Sequence, residues 1–176
     1  MFSLIGMPGC GKTTMGRTLA RRLKLPFVDS DAAIEQRIEG SIRNFFEQHG
    51  ETAFRDLEEQ VIDELTQGPA AVLATGGGVV LRPANRRHLH ERATVLYLRA
   101  SPEYLARRLR HDTKRPLLQV ANPLQKLRDL YAERDPLYRE CAHFVLDTHG
   151  LSMAMGVNRI IMQLELAGRL PIHGAE

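Results

Sequence analysis

The sequence has few cysteines and no long hydrophobic run, and each absence narrows the class of protein. Cys10 and Cys141 are the only cysteines among 176 residues, too few for a disulfide framework, so we expect both to be free thiols. No apolar run approaches the roughly 18 to 20 residues that a membrane-spanning helix needs. The first residues do not form a charged stretch followed by a hydrophobic one, as in a secretory signal. We therefore expect a cytoplasmic protein with no membrane partner.

The sequence also lacks a strong excess of charge of one sign. Its formal net charge is +3, which is too modest to indicate a nucleic-acid partner. The basic residues are mostly arginine, with twenty Arg and four Lys. Guanidinium groups bind carboxylates and phosphates well, although genome base composition alone could explain this bias. No internal repeat or linker divides the chain, so we expect one domain over residues 1–176, acting as a monomer.

A glycine-rich segment near the start of the chain carries the clearest functional signal. Residues 6–14 read GMPGCGKTT and fit the pattern G-x-x-x-x-G-K-[ST], between a predicted strand at 2–5 and a predicted helix at 13–23. In such a loop the backbone N–H groups and Lys12 surround phosphate oxygens, and Thr13 offers its hydroxyl to Mg2+. The alternative is a glycine turn that binds nothing, which the flanking strand and helix argue against. The predicted nucleotide contacts are Gly9, Cys10, Gly11, Lys12, Thr13 and Thr14.

Two aspartates follow the second predicted strand, at 27–29. Asp29 and Asp31 come at the carboxyl end of that strand, which is where ligands bind in open parallel sheets. Ser30 or Asp31 could instead simply cap the next helix. Two acids beside a phosphate loop favour a role for at least one of them in holding Mg2+ or a substrate hydroxyl.

Three consecutive glycines follow the third predicted strand, at 70–74. Gly76, Gly77 and Gly78 would expose backbone N–H groups at the edge of the sheet. The alternative is an ordinary flexible turn, for which one glycine would suffice. The triplet therefore indicates close approach of a ligand to the backbone.

Two arginines lie on or near apolar helix faces. Arg55 is at the shoulder of the apolar stripe of a predicted helix at about 51–67, and it could be an arginine whose head group simply reaches solvent. Arg134 shares a face with Leu127 and Tyr131. Because a buried guanidinium is costly without a partner, Arg134 should meet either a protein acid or a ligand anion.

The predicted elements alternate between strands and helices along the chain. This order predicts a three-layer α/β domain with a mostly parallel five-stranded sheet flanked by helices. A polar, cation-rich loop at about 109–122 separates two predicted helices. It could be a plain surface loop or a lid that closes over a nucleotide and excludes water.

Taken together, these motifs resemble the shikimate kinases. The segments that carry the resemblance are GMPGCGKTT at 6–14, DSD at 29–31, FR at 54–55, TGGG at 75–78, RPLL at 115–118 and RDPLY at 134–138. The resemblance implies a P-loop kinase fold like that of nucleoside monophosphate kinases, with a substrate-binding helical region at about 31–62 and a lid at about 109–122. It also implies transfer of the ATP γ-phosphoryl group to the 3-hydroxyl of shikimate, giving shikimate 3-phosphate and ADP for aromatic amino acid biosynthesis.

The resemblance assigns shikimate contacts to Asp31, Arg55, Gly77 and Arg134. On this reading the two arginines bind the substrate carboxylate, which a guanidinium fork fits with two hydrogen bonds. Asp31 would accept a hydrogen bond from the hydroxyl to be phosphorylated, and it would either only orient this hydroxyl or also take its proton as the base. The backbone N–H groups of 76–78 would hold the substrate close.

The resemblance also implies roles around the nucleotide. Arg115 in the lid would reach the ATP phosphates, and Arg108 would lie against the adenine. Lys12, Arg115 and Mg2+ would neutralise the charge that develops during phosphoryl transfer. Thr13 and Asp29 would hold the Mg2+ shell, Asp29 through water. The segment at 147–152 departs from the family because it has no Arg or Pro in the adenine loop.

Other classes of phosphate-loop protein carry motifs that this chain lacks, and a few of these classes remain as alternatives. The chain has no N-K-x-D motif of GTPases and no L-S-G-G-Q motif of transporter ATPases. A nucleoside monophosphate kinase would carry D-G-[FY]-P-R where this chain has TGGG. Gluconate kinase shares the phosphate loop and acid pair but lacks the glycine triplet and the R-x-P-L-Y ending. A nucleotide-binding module without catalysis is the remaining alternative, although it would not need Asp31, Arg55 or Arg134.

Overall fold

The fold is built on a five-stranded sheet in a computed structural model that describes residues 1–110 and 120–171. All strand pairs are parallel and the strand order is β2-β3-β1-β4-β5. This confirms the predicted α/β class, and the sheet is parallel throughout rather than mostly parallel. The strands are β1 Phe2–Ile5, β2 Phe27–Asp29, β3 Val72–Ala74, β4 Thr94–Arg99 and β5 Phe144–Asp147.

The strand register brings three sequence motifs to one edge of the sheet. Ala74 at the end of β3 pairs with Leu4 of β1 on one side and with Asp29 of β2 on the other. The segments that leave these three strands are the glycine triplet, the phosphate loop and the acid pair. Because the carboxyl ends of parallel strands meet at one edge, the three segments are neighbours although they are far apart in sequence.

Seven α-helices and one short 3-10 helix connect the described strands. Ser41, Ser101, Asn122 and Ser152 each cap a helix by accepting a hydrogen bond from the backbone N–H three residues on. The helices are α1 Lys12–Leu23, α2 Ser30–Arg37, α3 Ile42–Gln67, α4 Pro83–Arg92, α5 Pro102–Leu109, α6 Pro123–Cys141 and α7 Met153–Leu166, with the 3-10 helix at Val79–Leu81.

Helix α3 is kinked at Gly50, directly before the helix that the sequence predicts at about 51–67. Gly50 has φ of 81° and ψ of 176°, which is not a helical conformation and suits glycine. The kink separates a short first part, capped by Ser41, from a longer second part that carries Arg55. The second part therefore takes its own direction and packs against α2.

Two hydrophobic clusters support the sheet edge where the motifs meet. The main cluster surrounds β1, β3 and β4, which are buried along their lengths apart from the partly exposed Arg99. A smaller cluster of Ile34, Phe54 and Val61 joins α2 to α3. Burial of these side chains holds the two helices together, so the residues that precede Ile34 and follow Phe54 in sequence are held near each other.

The lid and the membrane-spanning helices are two subjects of the sequence analysis that the structure addresses only over the described residues. Most of the predicted lid, including Arg115, lies in 111–119 and is therefore outside the described structure. Across 1–110 and 120–171, no helix combines the length and the apolar composition needed to cross a membrane.

Candidate active site

The phosphate loop has the backbone that its glycines predict. Gly9 and Gly11 have φ of 82° and 100°, a region that other residues rarely adopt. Lys12 is buried within this loop, and its Nζ donates to the carbonyl oxygens of Gly6 at 2.8 Å and Met7 at 3.0 Å. The loop therefore curls around the Lys12 ammonium, and α1 begins at that residue with its positive end directed at the same place.

Thr13 and Asp29 come together beside the loop. The Thr13 hydroxyl donates to Asp29 Oδ2 at 3.1 Å, while Asp29 Oδ1 accepts from the backbone N–H of Asp31 at 3.0 Å. Asp29 is thus the N-cap of α2, and the alternative in which Ser30 or Asp31 caps this helix is wrong. The cap falls on Asp29 because its backbone is still extended at the end of β2, which lets its carboxylate reach the first N–H groups of the helix.

A hydroxyl and a carboxylate at this spacing suit a hard cation such as Mg2+. Among the described residues no group of three or more His, Cys, Asp or Glu side chains could hold a metal ion. An ion between Thr13 and Asp29 would therefore take its other ligands from nucleotide phosphates and water, which is how Mg2+ usually binds in phosphotransferases.

Asp31 lies in a setting that disfavours its charge. The pKa of Asp31 is raised to about 6, mainly by burial and also by the negative charges of Asp29 and Glu58, while the positive charge of Lys12 opposes these effects. Its carboxylate faces the glycine triplet, since a Cβ atom on Gly76 would lie 2.7 Å from Asp31 Oδ1. A carboxylate with a raised pKa is better suited to accept a proton near neutral pH than an exposed aspartate is.

Each glycine of the triplet makes room for a different side chain. A Cβ atom would collide with Asp31 at Gly76, with Pro8 at Gly77 and with the guanidinium of Arg55 at Gly78. The triplet is therefore required by close packing on three sides, and a flexible turn does not explain it.

The backbone N–H groups of the triplet are not equivalent. The Gly76 N–H donates to Ser30 Oγ at 3.2 Å, so this amide is already engaged by the protein. This argues against Gly76 as a direct amide contact to substrate, and the expectation is kept for Gly77 and Gly78. Ser30 is fully buried and fastens the start of α2 to the triplet.

Arg55 and Arg134 share one buried acid that the sequence analysis did not identify. Arg55 Nη1 donates to Glu58 Oε2 at 2.5 Å, and the Glu58 side chain is only 1% exposed. Burial raises the pKa of Glu58, while Arg55 and Arg134 both act to lower it. Arg134 is itself buried, and the Nε atoms of both arginines lack a hydrogen-bond partner among the described residues.

The surroundings of Arg134 bear on the expectation that it meets either a protein acid or a ligand anion. Glu58 is the one buried acid beside these two cations in the described structure, because Glu51, which pairs with Arg55 Nε at 3.6 Å, is 65% exposed. A second buried negative charge would therefore complete their balance. A small carboxylate would supply that charge and would accept hydrogen bonds from either guanidinium.

One cavity joins these groups. It has a volume of about 940 Å³ and extends from the phosphate loop at Lys12 and Thr13 to the two arginines. Asp31 and Gly76–Gly78 line it between these ends. A cavity of this size holds a small ligand together with the phosphates of a nucleotide.

Arg108 lies at the nucleotide end of the cavity. A Cβ atom on Gly11 would be 3.6 Å from Arg108 Nη2, so the guanidinium lies over the phosphate loop. The neighbouring Leu109 packs against Gly9. Segment 147–152 does not line the cavity, and Asp147 at its start is paired with Arg99 at 2.8 Å.

Glu58 and Tyr138 are the residues of this region that the sequence analysis missed. Glu58 follows Phe54 by four residues and therefore lies on the apolar face of α3, where an acid is unexpected. Tyr138 follows Arg134 by four residues and shares its face of α6 in the same way. In both cases the sequence feature that could have identified the residue is a polar group on an apolar helix face.

Comparison with known proteins agrees with this geometry. The family model described as shikimate kinase matches residues 8–165. The shikimate kinase of Paracidovorax citrulli is 64% identical over 171 residues, which are 96% of this chain and 93% of the relative. That of Ralstonia nicotianae is 57% identical over 164 residues, covering 93% of this chain and 86% of the relative.

Solved structures show the same relationship. The shikimate kinase from Acinetobacter baumannii in complex with shikimate has a TM-score of 0.88 and 46% identity, covering 96% of this chain and 94% of its own. A gluconokinase from Sinorhizobium meliloti has a TM-score of 0.56 and 17% identity, covering 94% and 95%, and shows a shared fold alone. On the family match and the identity to its relatives, the chain belongs to the shikimate kinase family.

Proposed function

We propose that the cavity brings the 3-hydroxyl of shikimate to the γ-phosphoryl group of ATP through the residues described above. Membership of the family gives the chain its activity as an ATP-dependent shikimate kinase. The observation that carries the proposed residue roles is the pair of buried arginines, which share one acid and open onto the cavity that contains Lys12.

The shikimate carboxylate would bind between Arg55 and Arg134. Both guanidinium groups are largely buried, and each has an Nε atom without a hydrogen bond in the described structure, although Arg55 Nε lies 3.6 Å from the exposed Glu51. Hydrogen bonds from charged donors in such a setting are stronger than those in water. The amides of Gly77 and Gly78 would hold the ring close to the backbone, since a side chain at either position would fill the space.

Asp31 would receive the reacting hydroxyl. Its carboxylate accepts the hydroxyl hydrogen bond, aims the oxygen at the γ-phosphorus and takes the proton as the new P–O bond forms. The bond between the γ-phosphorus and its bridging oxygen breaks, and ADP leaves. The pKa of Asp31 is raised mainly by burial, and this makes its carboxylate a better proton acceptor than that of an exposed aspartate.

Lys12, Arg108 and Arg115 would bind the nucleotide, with the amides of the phosphate loop around the phosphates. Thr13 and Asp29 would hold Mg2+, which neutralises phosphate charge when it is bound. The proposal includes a monomeric enzyme, whose described site residues come together around one cavity. Its two buried cysteines are free, which supports a cytoplasmic enzyme.

An ADP-release assay with three acceptors tests this function. With ATP and Mg2+ present, shikimate should give turnover, whereas gluconate and AMP should give none above the rate of ATP hydrolysis. Mass spectrometry should identify the product as shikimate monophosphate. A higher kcat/KM with gluconate or AMP would overturn the proposal, and binding of ATP without turnover on any acceptor would indicate a nucleotide-binding module.

A further inference from the structure

Tyr138 connects the glycine triplet to helix α6 from behind the cavity. Its hydroxyl donates to the carbonyl oxygen of Gly77 at 2.5 Å, and its side chain is completely buried. Tyr138 is not among the residues that line the cavity, whereas Gly77 is. Any effect of this tyrosine on a bound substrate must therefore act through other groups.

The hydrogen bond to Gly77 restrains the peptide unit between Gly77 and Gly78. In a trans peptide the carbonyl of one residue and the N–H of the next point in opposite directions. Fixing the Gly77 carbonyl on Tyr138 therefore directs the Gly78 N–H away from it. Glycine places little restriction on its own backbone angles, so this unit would otherwise rotate easily.

Tyr138 also adjoins Arg134 on the same face of α6. The two residues are four apart in a helix, which brings their side chains together. Burial raises the pKa of the Tyr138 phenol, and the nearby Arg134 guanidinium opposes this by favouring negative charge on the oxygen. The phenol oxygen thus faces the Gly77 carbonyl and the Arg134 guanidinium.

The ring of Tyr138 is held in turn by the sheet. It stacks on Tyr97 of β4 with 4.9 Å between ring centroids and an interplanar angle of 30°. The Tyr97 hydroxyl donates to Asp135 at 2.7 Å, so Tyr97 is itself fixed. Strand β4 therefore sets the position of the Tyr138 ring through Tyr97.

We propose that Tyr138 is a positioning residue for shikimate, whose hydroxyl fixes the Gly77–Gly78 peptide and the adjoining Arg134 without touching the substrate. This inference rests on the proposed function, because it takes shikimate as the ligand of those groups. It predicts that the hydroxyl of Tyr138 affects shikimate binding far more than ATP binding, since Lys12 has its own contacts within the phosphate loop.

The test removes the hydroxyl and keeps the ring. Tyr138→Phe should raise the KM for shikimate about tenfold, as expected for one buried hydrogen bond, and should change the KM for ATP less than about twofold. Isothermal titration with shikimate should show the same loss of affinity. Replacement of Tyr138 by 4-aminophenylalanine, which keeps an N–H donor at the ring, should restore the KM for shikimate to within about threefold.

Tyr131→Phe is the matched control, since it removes from the same helix another phenol hydroxyl, one that bonds to Asp135 and does not line the cavity. It should leave both KM values within about twofold even if it lowers the melting temperature as much as Tyr138→Phe does. The inference is overturned if Tyr138→Phe keeps the wild-type KM for shikimate, or if both variants change both KM values alike. If Tyr138→Phe does not fold, the variant with 4-aminophenylalanine at position 138 provides the test. The inference is overturned if that variant folds but binds shikimate more than about threefold more weakly than the wild type does. Absence of shikimate turnover in the wild type would instead refute the proposed function.

Discussion

Glu58 and Arg55 form a buried ion pair across one turn of α3, with 2.5 Å between Glu58 Oε2 and Arg55 Nη1. Most pairs of this spacing lie on helix surfaces and contribute little, but here the acid is 1% exposed. The pair holds the Arg55 guanidinium against Gly78 at the wall of the cavity. Arg134 is close enough to lower the pKa of the same acid, so Glu58 orients Arg55 and offsets part of the charge of Arg134.

Replacing Glu58 by Gln should therefore weaken shikimate binding. The glutamine keeps the shape and one acceptor but leaves Arg55 with only the exposed Glu51 as an acidic partner. We expect the KM for shikimate to rise about tenfold or more and the unfolding free energy to fall by about 1 to 3 kcal/mol. Steady-state kinetics with each substrate varied and thermal melts measure both effects. As a control, Glu47→Gln removes an exposed acid of α3 that pairs with Arg43, and it should leave stability within about 0.5 kcal/mol.

Changing Arg134 to Ala should affect shikimate binding far more than ATP binding. Loss of a charged fork that holds a carboxylate should reduce shikimate affinity at least about a hundredfold, with the KM for ATP within about threefold. Arg134→Lys keeps the charge without the fork and should fall between the two. Arg139→Ala is the matched control on α6, because Arg139 is exposed and paired with Asp135 at 2.8 Å. Equal losses of affinity for both substrates would contradict the carboxylate contact.

Asp31→Asn should lower kcat at least about a hundredfold if Asp31 is the general base. The variant keeps the size of the side chain and should still bind shikimate. Turnover near the wild-type rate would show that Asp31 only contacts the substrate. Comparison of kcat and KM from the same titrations distinguishes these outcomes.

The same substitution should stabilise the free protein at neutral pH. The pKa of Asp31 is raised to about 6 by burial, so the folded state binds a proton that the unfolded state has already lost. The contribution of Asp31 to stability therefore decreases as pH rises from about 4 to 6, by at most about 3 kcal/mol. Urea denaturation with EDTA and without nucleotide should show that the unfolding free energy of Asp31→Asn increases relative to that of the wild type as the pH rises over this interval. A constant difference across that pH range would contradict the raised pKa.

Asp29 has two functions that different substitutions can separate. Asp29→Asn keeps a good N-cap but removes the charge, so the Mg2+ concentration for half-maximal activity should rise about tenfold or more with little loss of stability. Asp29→Ala should in addition lose about 0.5 to 2 kcal/mol of stability with the cap of α2. Ser152→Ala removes the cap of α7, outside the cavity, and should lower stability with normal Mg2+ dependence. A normal Mg2+ requirement in Asp29→Asn would exclude Asp29 from the metal site.

The order of the elements and the phosphate loop could be predicted because they depend on residues close together in sequence. The pattern from Gly6 to Thr14 requires a particular backbone, and the structure contains it with positive φ at Gly9 and Gly11. The position of Arg134 on an apolar face follows from helical spacing alone, and its burial is confirmed. The shikimate kinase family and its α/β fold are likewise confirmed, while the role of each site residue stays a prediction.

The partners of these groups were decided by tertiary structure. Tyr138 reaches the carbonyl of Gly77 across 61 positions, and Ser30 holds the amide of Gly76 across 46. No local pattern specifies such contacts, because they depend on the order of strands in the sheet and on how α2, α3 and α6 pack over its edge. The amino-acid sequence by itself determined which chemical groups the site contains. The packing of distant segments decided that Glu58 is the buried acid beside two arginines, at the place where we propose that the substrate carboxylate binds.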